Sequence, residues 1–216
     1  MRRQMTRTIG AVVAAAVLLA LVACTRGAGP VVERTREVGS FSRIEAGGGV
    51  QVHVTIGQAG PIVVHAQENI QDKVSTEVRS DGTLRIEAKE DFVVADPVVI
   101  EATTPELTAI SLSGGATAEL DGLQADMLDL SLSGGARATI SGTATAVTIS
   151  ARGGSTASLY GLESGTVTVN LDGGATAEVQ ASGSVTGSAS GGAKLRIRGA
   201  APVQVETSGG AEVNRG

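Results

Sequence analysis

The chain has no tryptophan, one tyrosine (Tyr160) and two phenylalanines (Phe41, Phe92). It therefore has almost no large rings for a globular core and no aromatic platform on which bases or sugars could stack. A single cysteine, Cys24, excludes an intrachain disulfide. The only histidines are His53 and His65; with no cysteine beside them and only Glu68 and Asp72 at hand, they do not make a zinc site. On strand alternation His53 points away from Val52 and Val54, toward solvent. No basic patch with interleaved rings occurs, which removes the electrostatic footing for nucleic-acid binding. What remains is abundant and small: 42% of the 216 residues are hydrophobic and 30 are glycine. A core made of Ala, Val, Leu and Ile suits stacked, near-identical layers.

Residues 1–23 read as an export leader, with Arg2, Arg3 and Arg7 ahead of an uncharged apolar run. That run, 9–23, is short for a bilayer span, which needs about 20 apolar residues. Around the arginine pair nothing else supports twin-arginine export. The leader ends Leu21-Val22-Ala23-Cys24, which resembles the lipobox of bacterial lipoproteins. The resemblance implies cleavage between Ala23 and Cys24, lipidation of the Cys24 sulfur and acylation of the new amino terminus, with palmitate-type chains as the anchor. Loss of the leader removes three of 17 basic residues, leaving 14 against 22 acidic ones, a charge of −8. That balance opposes adhesion to anionic head groups, so acyl chains must supply the membrane attachment. Residues 24–37 are expected as the lipidated cysteine and a tether, with 25–30 rich in Gly and Ala. A single β domain is expected over 38–216.

The second half repeats. A Gly-Gly pair followed by a small residue recurs as Gly114-Gly115-Ala116, Gly134-Gly135-Ala136, Gly153-Gly154-Ser155, Gly173-Gly174-Ala175, Gly191-Gly192-Ala193 and Gly209-Gly210-Ala211. Ser113, Ser133, Ser190 and Ser208 precede four of these pairs, Arg152 and Asp172 the other two. Apolar residues alternate with period two on both sides of each pair, a strand signature. Two short strands are therefore expected per repeat, with a second turn at Asp121-Gly122, Ser141-Gly142, Tyr160-Gly161 and Arg198-Gly199. So small a unit cannot bury a core alone, but stacked units can. The fold expected is all-β: a parallel β-helix or β-solenoid with about 18–20 residues per coil over 106–216. A less regular β part precedes it, with a turn at Asp81-Gly82 between alternating runs.

Between the apolar rows, outward positions fall into columns. One reads Thr117, Arg137, Thr156, Thr176, Lys194, Glu212; the next reads Glu119, Thr139, Ser158, Glu178, Arg196, Asn214. Glu178 with Arg196, and Lys194 with Glu212, are placed to pair across coils as solvated surface contacts.

Phe41-Ser42-Arg43-Ile44 with Gly47-Gly48-Gly49, the run Asp81-Gly82-Thr83-Leu84-Arg85-Ile86, Pro105-Glu106-Leu107-Thr108-Ala109-Ile110 and the Ser-Gly-Gly repeats together resemble one known family, the auto-transporter adhesin head GIN domain. The resemblance covers 41–214. It implies a β-helical fold on secreted or lipid-anchored envelope proteins, and carries over no catalytic residue. Arg152 and Asp172 depart from its serine pattern.

A β-helix can also carry carbohydrate chemistry, but that needs converging carboxylates. Here Glu119 with Asp121, and Asp126 with Asp129, are close only in sequence, at turns and outward faces. Asp172-Gly173-Gly174 lacks the recurring Asp of calcium-binding repeats. Thr143 with Thr145 and Thr166 with Thr168 do not keep one spacing from coil to coil, and threonine is a good strand-surface residue in any case.

The reading is a non-enzymatic binding, adhesion or structural module without cofactor or metal, exported and lipid-anchored at the cell membrane or outer membrane. Its expected partners are the membrane, through the anchor, and an envelope polysaccharide or protein on a flat strand face; self-association is also open. The alternatives are a carbohydrate-active lyase or hydrolase, and an envelope-sensing accessory.

Overall fold

The computed structural model describes residues 25–88, 92–94 and 96–216. The expected leader and the cleavage position Ala23–Cys24 lie outside the described residues. The strands in chain order are β1 (Thr25–Arg26), β2 (Val31–Arg36), β3 (Arg43–Ala46), β4 (Gln51–Ile56), β5 (Ile62–Gln67), β6 (Val74–Val78), β7 (Thr83–Ala88), β8 (Phe92–Val93) and β9 (Val99–Thr104). They continue with β10 (Ala109–Leu112), β11 (Thr117–Leu132), β12 (Arg137–Gly153), β13 (Thr156–Gly173), β14 (Thr176–Ala189), β15 (Lys194–Arg198), β16 (Val203–Thr207) and β17 (Glu212–Arg215). All but β1 and β8 join one hydrogen-bonded ladder.

From β10 onward the ladder is parallel and winds into a β-solenoid of about five turns. Its corner is the Gly-Gly turn. The first glycine of each pair has positive φ, between 67° and 73°, and the second does not. The second glycine ties the coils together instead: the Gly135 N–H donates to the Gly114 carbonyl at 2.6 Å, and Gly154 to Gly134 at 2.8 Å. Apolar columns run inward along the axis. Ile110, Leu130, Ile149 and Val169 stack on one side, and Ala118, Ala138, Ala157, Ala177 and Leu195 on another, all buried. Each buried Leu, Ile or Val contributes about 1.5–3 kcal/mol against chain entropy.

The coil differs from the two-strand repeat read in the sequence. β11 to β14 are 14–18 residues long and pass through the expected second turn without leaving the ladder. In β11 the in–out alternation breaks twice, where Asp121 and Gly122, then Asp126 and Met127, are consecutively exposed. These breaks are corners, so each coil has three sides. Side one precedes the Gly-Gly corner and side two follows it. Side three, 123–126 in β11, closes the loop. The first of these corners holds Gly122, at φ 74°, and falls where the sequence marks its second turn; the other, Asp126-Met127, has no glycine or proline, which is why the sequence shows it only weakly.

The N-terminal part adds two coils out of sequence order. β3 and β4, joined by Gly47-Gly48-Gly49, stack directly on β10 and β11. β7 and β9 lie beneath them, parallel to β3 and β4. β5 and β6 then close the end with reversed direction, antiparallel to β9 and β7, and β2 pairs antiparallel with β5. The less regular β part expected ahead of the repeats is thus a cap continuous with the rod. Asp81-Gly82 makes its expected turn between β6 and β7, the Thr83 N–H donating to Asp81 at 3.0 Å.

Inside the cap, Gln71 is fully buried and donates to the carbonyls of Val32 and Val64 at 2.7 and 2.8 Å. Arg36 donates to the carbonyls of Gln71 and Val74, both at 2.7 Å. Burial, then neighbouring Arg34, pulls the Arg36 guanidinium below its ordinary value, while Asp72 acts the other way.

Residues 25–30, expected as a tether, are fastened rather than free. β1 pairs with β8, the Gly27 N–H donates to the Val93 carbonyl at 2.8 Å, and Asn69 holds Ala28 and Arg26 by two further bonds.

Candidate binding groove

The three sides carry different chemistry. On side two both outward columns stand in register as read from the sequence. Arg196 donates to Glu178 at 2.8 Å, and Lys194 lies 4.0 Å from Glu212. Side one is rich in hydroxyls. Thr148, Thr168 and Thr186 share one column, and Ser111, Ser131, Ser150 and Ser188, with Asn170, the next. Of the threonines singled out in the sequence, Thr168 belongs to this order. Thr143 stands beside Glu163, and Thr166 beside Ala146, so those threonines do not repeat.

Side three is concave. Its strands lose regular pairing at the register shifts between Leu120 and Leu123, Thr139 and Ser141, and Leu159 and Glu163, with another between Ser164 and Thr166. At the corner with side one the residue shrinks from coil to coil, from exposed Asp126 and Thr145 to half-buried Gly165 and exposed Gly183. Gly165 and Gly183 are glycines of necessity. A Cβ on Gly165 would lie 2.5 Å from the Thr145 carbonyl oxygen, and one on Gly183 would lie 2.8 Å from that of Gly165.

The result is a groove of about 750 Å³ lined on successive coils by Glu106–Thr108, Asp126, Thr143, Thr145 and Gly165. It is continued past Glu163 and Ser182 by a second hollow of about 490 Å³. Met127, 56% exposed, stands at its rim. Neither hollow is lined by Lys, Arg or His. Glu106, Asp126 and Glu163 make no side-chain ion pair or hydrogen bond among the described residues. Arg198, which follows Gln180 in the same column, stacks 3.9 Å from the Tyr160 ring centre. The signal for the groove was a second small motif, Ser164-Gly165 and Ser182-Gly183, hidden beneath the louder Gly-Gly repeat.

The histidines belong to side two of the N-terminal coils. His65 Nδ1 lies 3.6 Å from Glu33 and its Nε2 3.4 Å from Glu101, while His53, half exposed, lies 3.8 Å from Glu119. The carboxylates approach from different directions and do not converge on one point. Asp126 and Asp129 fall on either side of a corner, and Asp121 accepts a hydrogen bond from Ser141 at 2.7 Å. Asp172 accepts one from Ser190 on the next coil at 2.8 Å, so at that corner the departure from serine makes a cross-coil contact. Cys24 lies outside the described residues, and no described helix is long and apolar enough to cross a membrane.

The model of the family described as "Putative auto-transporter adhesin, head GIN domain" matches residues 40–201. Among solved structures, a putative adhesin from Bacteroides fragilis is similar, with a TM-score of 0.71 and 18% identity over 88% of this chain and 99% of the other. A putative lipid binding protein from Parabacteroides distasonis gives 0.56 and 13% over 88% and 98%. A putative adhesin from Parabacteroides merdae gives 0.53 and 16% over 89% and 98%. At such identities these likenesses establish the fold. No curated protein matches the chain.

Proposed function

Because the chain belongs to the auto-transporter adhesin head GIN-domain family, we propose that it is a lipid-anchored binding module of the cell envelope that holds an extended polymer in the groove of side three. The observation that carries the reading is the groove itself. It is a hollow on the third side of the rod, and it runs across successive coils. An extended chain could thus lie along several coils, rather than in one closed pocket.

The anchor is Cys24, modified as the lipobox implies. Since β1 is fastened to the cap, only a short link separates the anchor from the folded domain. The capped end then faces the membrane, and the coils beyond β10 project away from it.

The groove is read as a holding surface, not a reaction centre. Catalysis by paired carboxylates needs two such groups held at a fixed separation across a substrate bond, and Glu106, Asp126 and Glu163, which line the two hollows, are fixed by no side-chain hydrogen bond or ion pair among the described residues.

The test is retention of purified envelope polysaccharide by the full mature chain carrying Cys24→Ser, with released reducing ends scored in the same assay. Retention without product is expected. Product release that disappears on substituting Asp126 or Glu163 would make the protein an enzyme. Metabolic labelling with palmitate tests the anchor separately, and label that persists in Cys24→Ser would refute it.

A further inference from the structure

We infer that Val93, with Phe92 behind it, is a foot that enters the interfacial layer of the bilayer beside Cys24 and fixes the capped end against the membrane. This inference rests on the reading of Cys24 as the lipid anchor, and adds a second contact made by the protein itself.

The first ground is position. Thr25 opens β1 and pairs in register with Phe92, and Arg26 pairs with Val93. Cys24 is bonded to Thr25, a reach of about 3.8 Å between Cα atoms, and Thr25 lies one strand spacing, about 4.8 Å, from Phe92. Acyl chains on Cys24 therefore leave the protein next to β8.

The second ground is fastening. The Asn69 side chain serves residues 26–28 as a neighbouring strand would: its oxygen accepts from the Ala28 N–H at 2.8 Å, and its amide donates to the Arg26 carbonyl at 2.9 Å. The Gly27 N–H donates to the Val93 carbonyl at 2.8 Å, and a Cβ on Gly27 would overlap the buried Gln67 amide. A free tether would let the domain tumble on its anchor. A segment held this closely carries β8 to the same depth as the lipid attachment.

The third ground is surface chemistry. Among the described residues the exposed large apolar side chains are Val31, Val93 and Met127. Met127 stands at the groove rim. Val93 is on β8 itself, and Val31 pairs with Gln67, the residue that Gly27 covers. Single exposed apolar residues need no explanation, but these two flank the point where the chain is joined to lipid. Arg26 is exposed in register with Val93, and such a side chain lays its stem on apolar surface with its head among lipid phosphates. With a charge of −8 on the mature chain, the contact is apolar in origin and needs no anionic lipid.

The chain has no tryptophan, so one introduced indole reports a single position. The test uses the full chain, lipidated in the cell, purified and reconstituted in phosphatidylcholine vesicles with brominated acyl chains. The Val93→Trp variant is compared with Gln204→Trp, an exposed position on β16. β16 lies seven pairings from β7, roughly 34 Å along the axis. On reconstitution the emission of Val93→Trp is expected to shift to shorter wavelength and to be quenched by bromine, while Gln204→Trp shows neither change. Val31→Trp should give the same readout as Val93→Trp without touching the β1–β8 pair. Adding Asn69→Ala to Val93→Trp should leave flotation with the vesicles intact and lose the shift.

Flotation with no shift or quenching at positions 31 and 93 would leave the anchor standing and overturn the foot. Quenching at position 204 as strong as at 93 would mean that the rod meets the membrane along its length, and would also overturn the foot. A shift that survives Asn69→Ala would overturn the role of the fastening. Failure to float, with no palmitate label on the chain, would overturn the anchor and this inference together.

Discussion

The cap and the rod use the same residues to different ends. In the rod, each coil repeats its neighbour, the chain advances in sequence order, and stability comes from uniform apolar columns with hydrogen-bonded glycine corners. In the cap, the coil of β3 and β4 is inserted between coils that come later in the chain, the outermost strands run antiparallel, and half-buried Arg36 is tied by hydrogen bonds to buried Gln71. Repetition makes a structure that can lengthen indefinitely, and a change of strand direction with a charged, specific contact brings it to a stop. An end covered in this way offers no parallel edge for another coil to join.

The comparison is broken most forcefully in the rod's core. Leu130 stacks between Ile110 and Ile149 and is 2% exposed. Leu130→Ala should cost about 3 kcal/mol in chemical denaturation, because facing coils cannot collapse into the gap. In the cap, Arg36→Met should cost about 2 kcal/mol by stranding the carbonyls of Gln71 and Val74. The loss should also be local. Amide exchange should quicken in β2, β5 and β6 and stay unchanged in β12 and β13. Uniform acceleration would mean that cap and rod unfold as one unit.

The rod's corners sharpen the contrast on a finer scale. Gly153 has φ of 72°, and a Cβ there would lie 3.1 Å from the Gly134 carbonyl oxygen, whereas one on Gly154 would lie at 3.6 Å, an ordinary contact. Gly153→Ala should therefore cost about 1–2 kcal/mol and Gly154→Ala only a few tenths. Equal costs in thermal melts would show that the pair acts through flexibility rather than through conformation at one position. Smaller still is the side-two pair. Arg196→Ala should cost under about 1 kcal/mol, and a double-mutant cycle with Glu178→Gln should show coupling that fades with salt.

In the cap's β6–β7 turn, the Thr83 hydroxyl and N–H hold the Asp81 carboxyl below its usual range. A depressed carboxyl contributes stability above its unfolded value and loses it as the pH falls toward the folded one. Asp81→Asn should therefore flatten the acid limb of the stability profile; an unchanged limb would assign acid sensitivity to other groups.

How much of this could be read from residues follows the same division. The Gly-Gly period, both outward columns of side two and the Glu178–Arg196 and Lys194–Glu212 contacts were legible because a parallel coil converts a fixed sequence offset into a fixed spatial one. The third side was not legible. Asp126 and Met127 turn a corner with nothing but two outward side chains, and Gly165 and Gly183 matter through the backbone that approaches them rather than through a motif. The order of the N-terminal coils was hidden for a deeper reason. Pairing of β3 with both β7 and β10 joins segments far apart in the chain, and alternation alone assigns a strand to a face without naming its neighbour. The fastening of residues 25–28 likewise depends on Asn69 and Val93, remote residues that no local composition reveals.

The central claim is that side three, and not the flat sides, is where the rod meets its ligand. Backbone amide exchange of the full mature chain, free and saturated with purified envelope polysaccharide, tests it most directly. Protection is predicted in residues 106–108, 124–127, 143–145 and 163–165, with sides one and two unchanged. Protection centred on the outward columns at 117–119, 137–139 and 156–158, with 124–127 and 143–145 untouched, would contradict it.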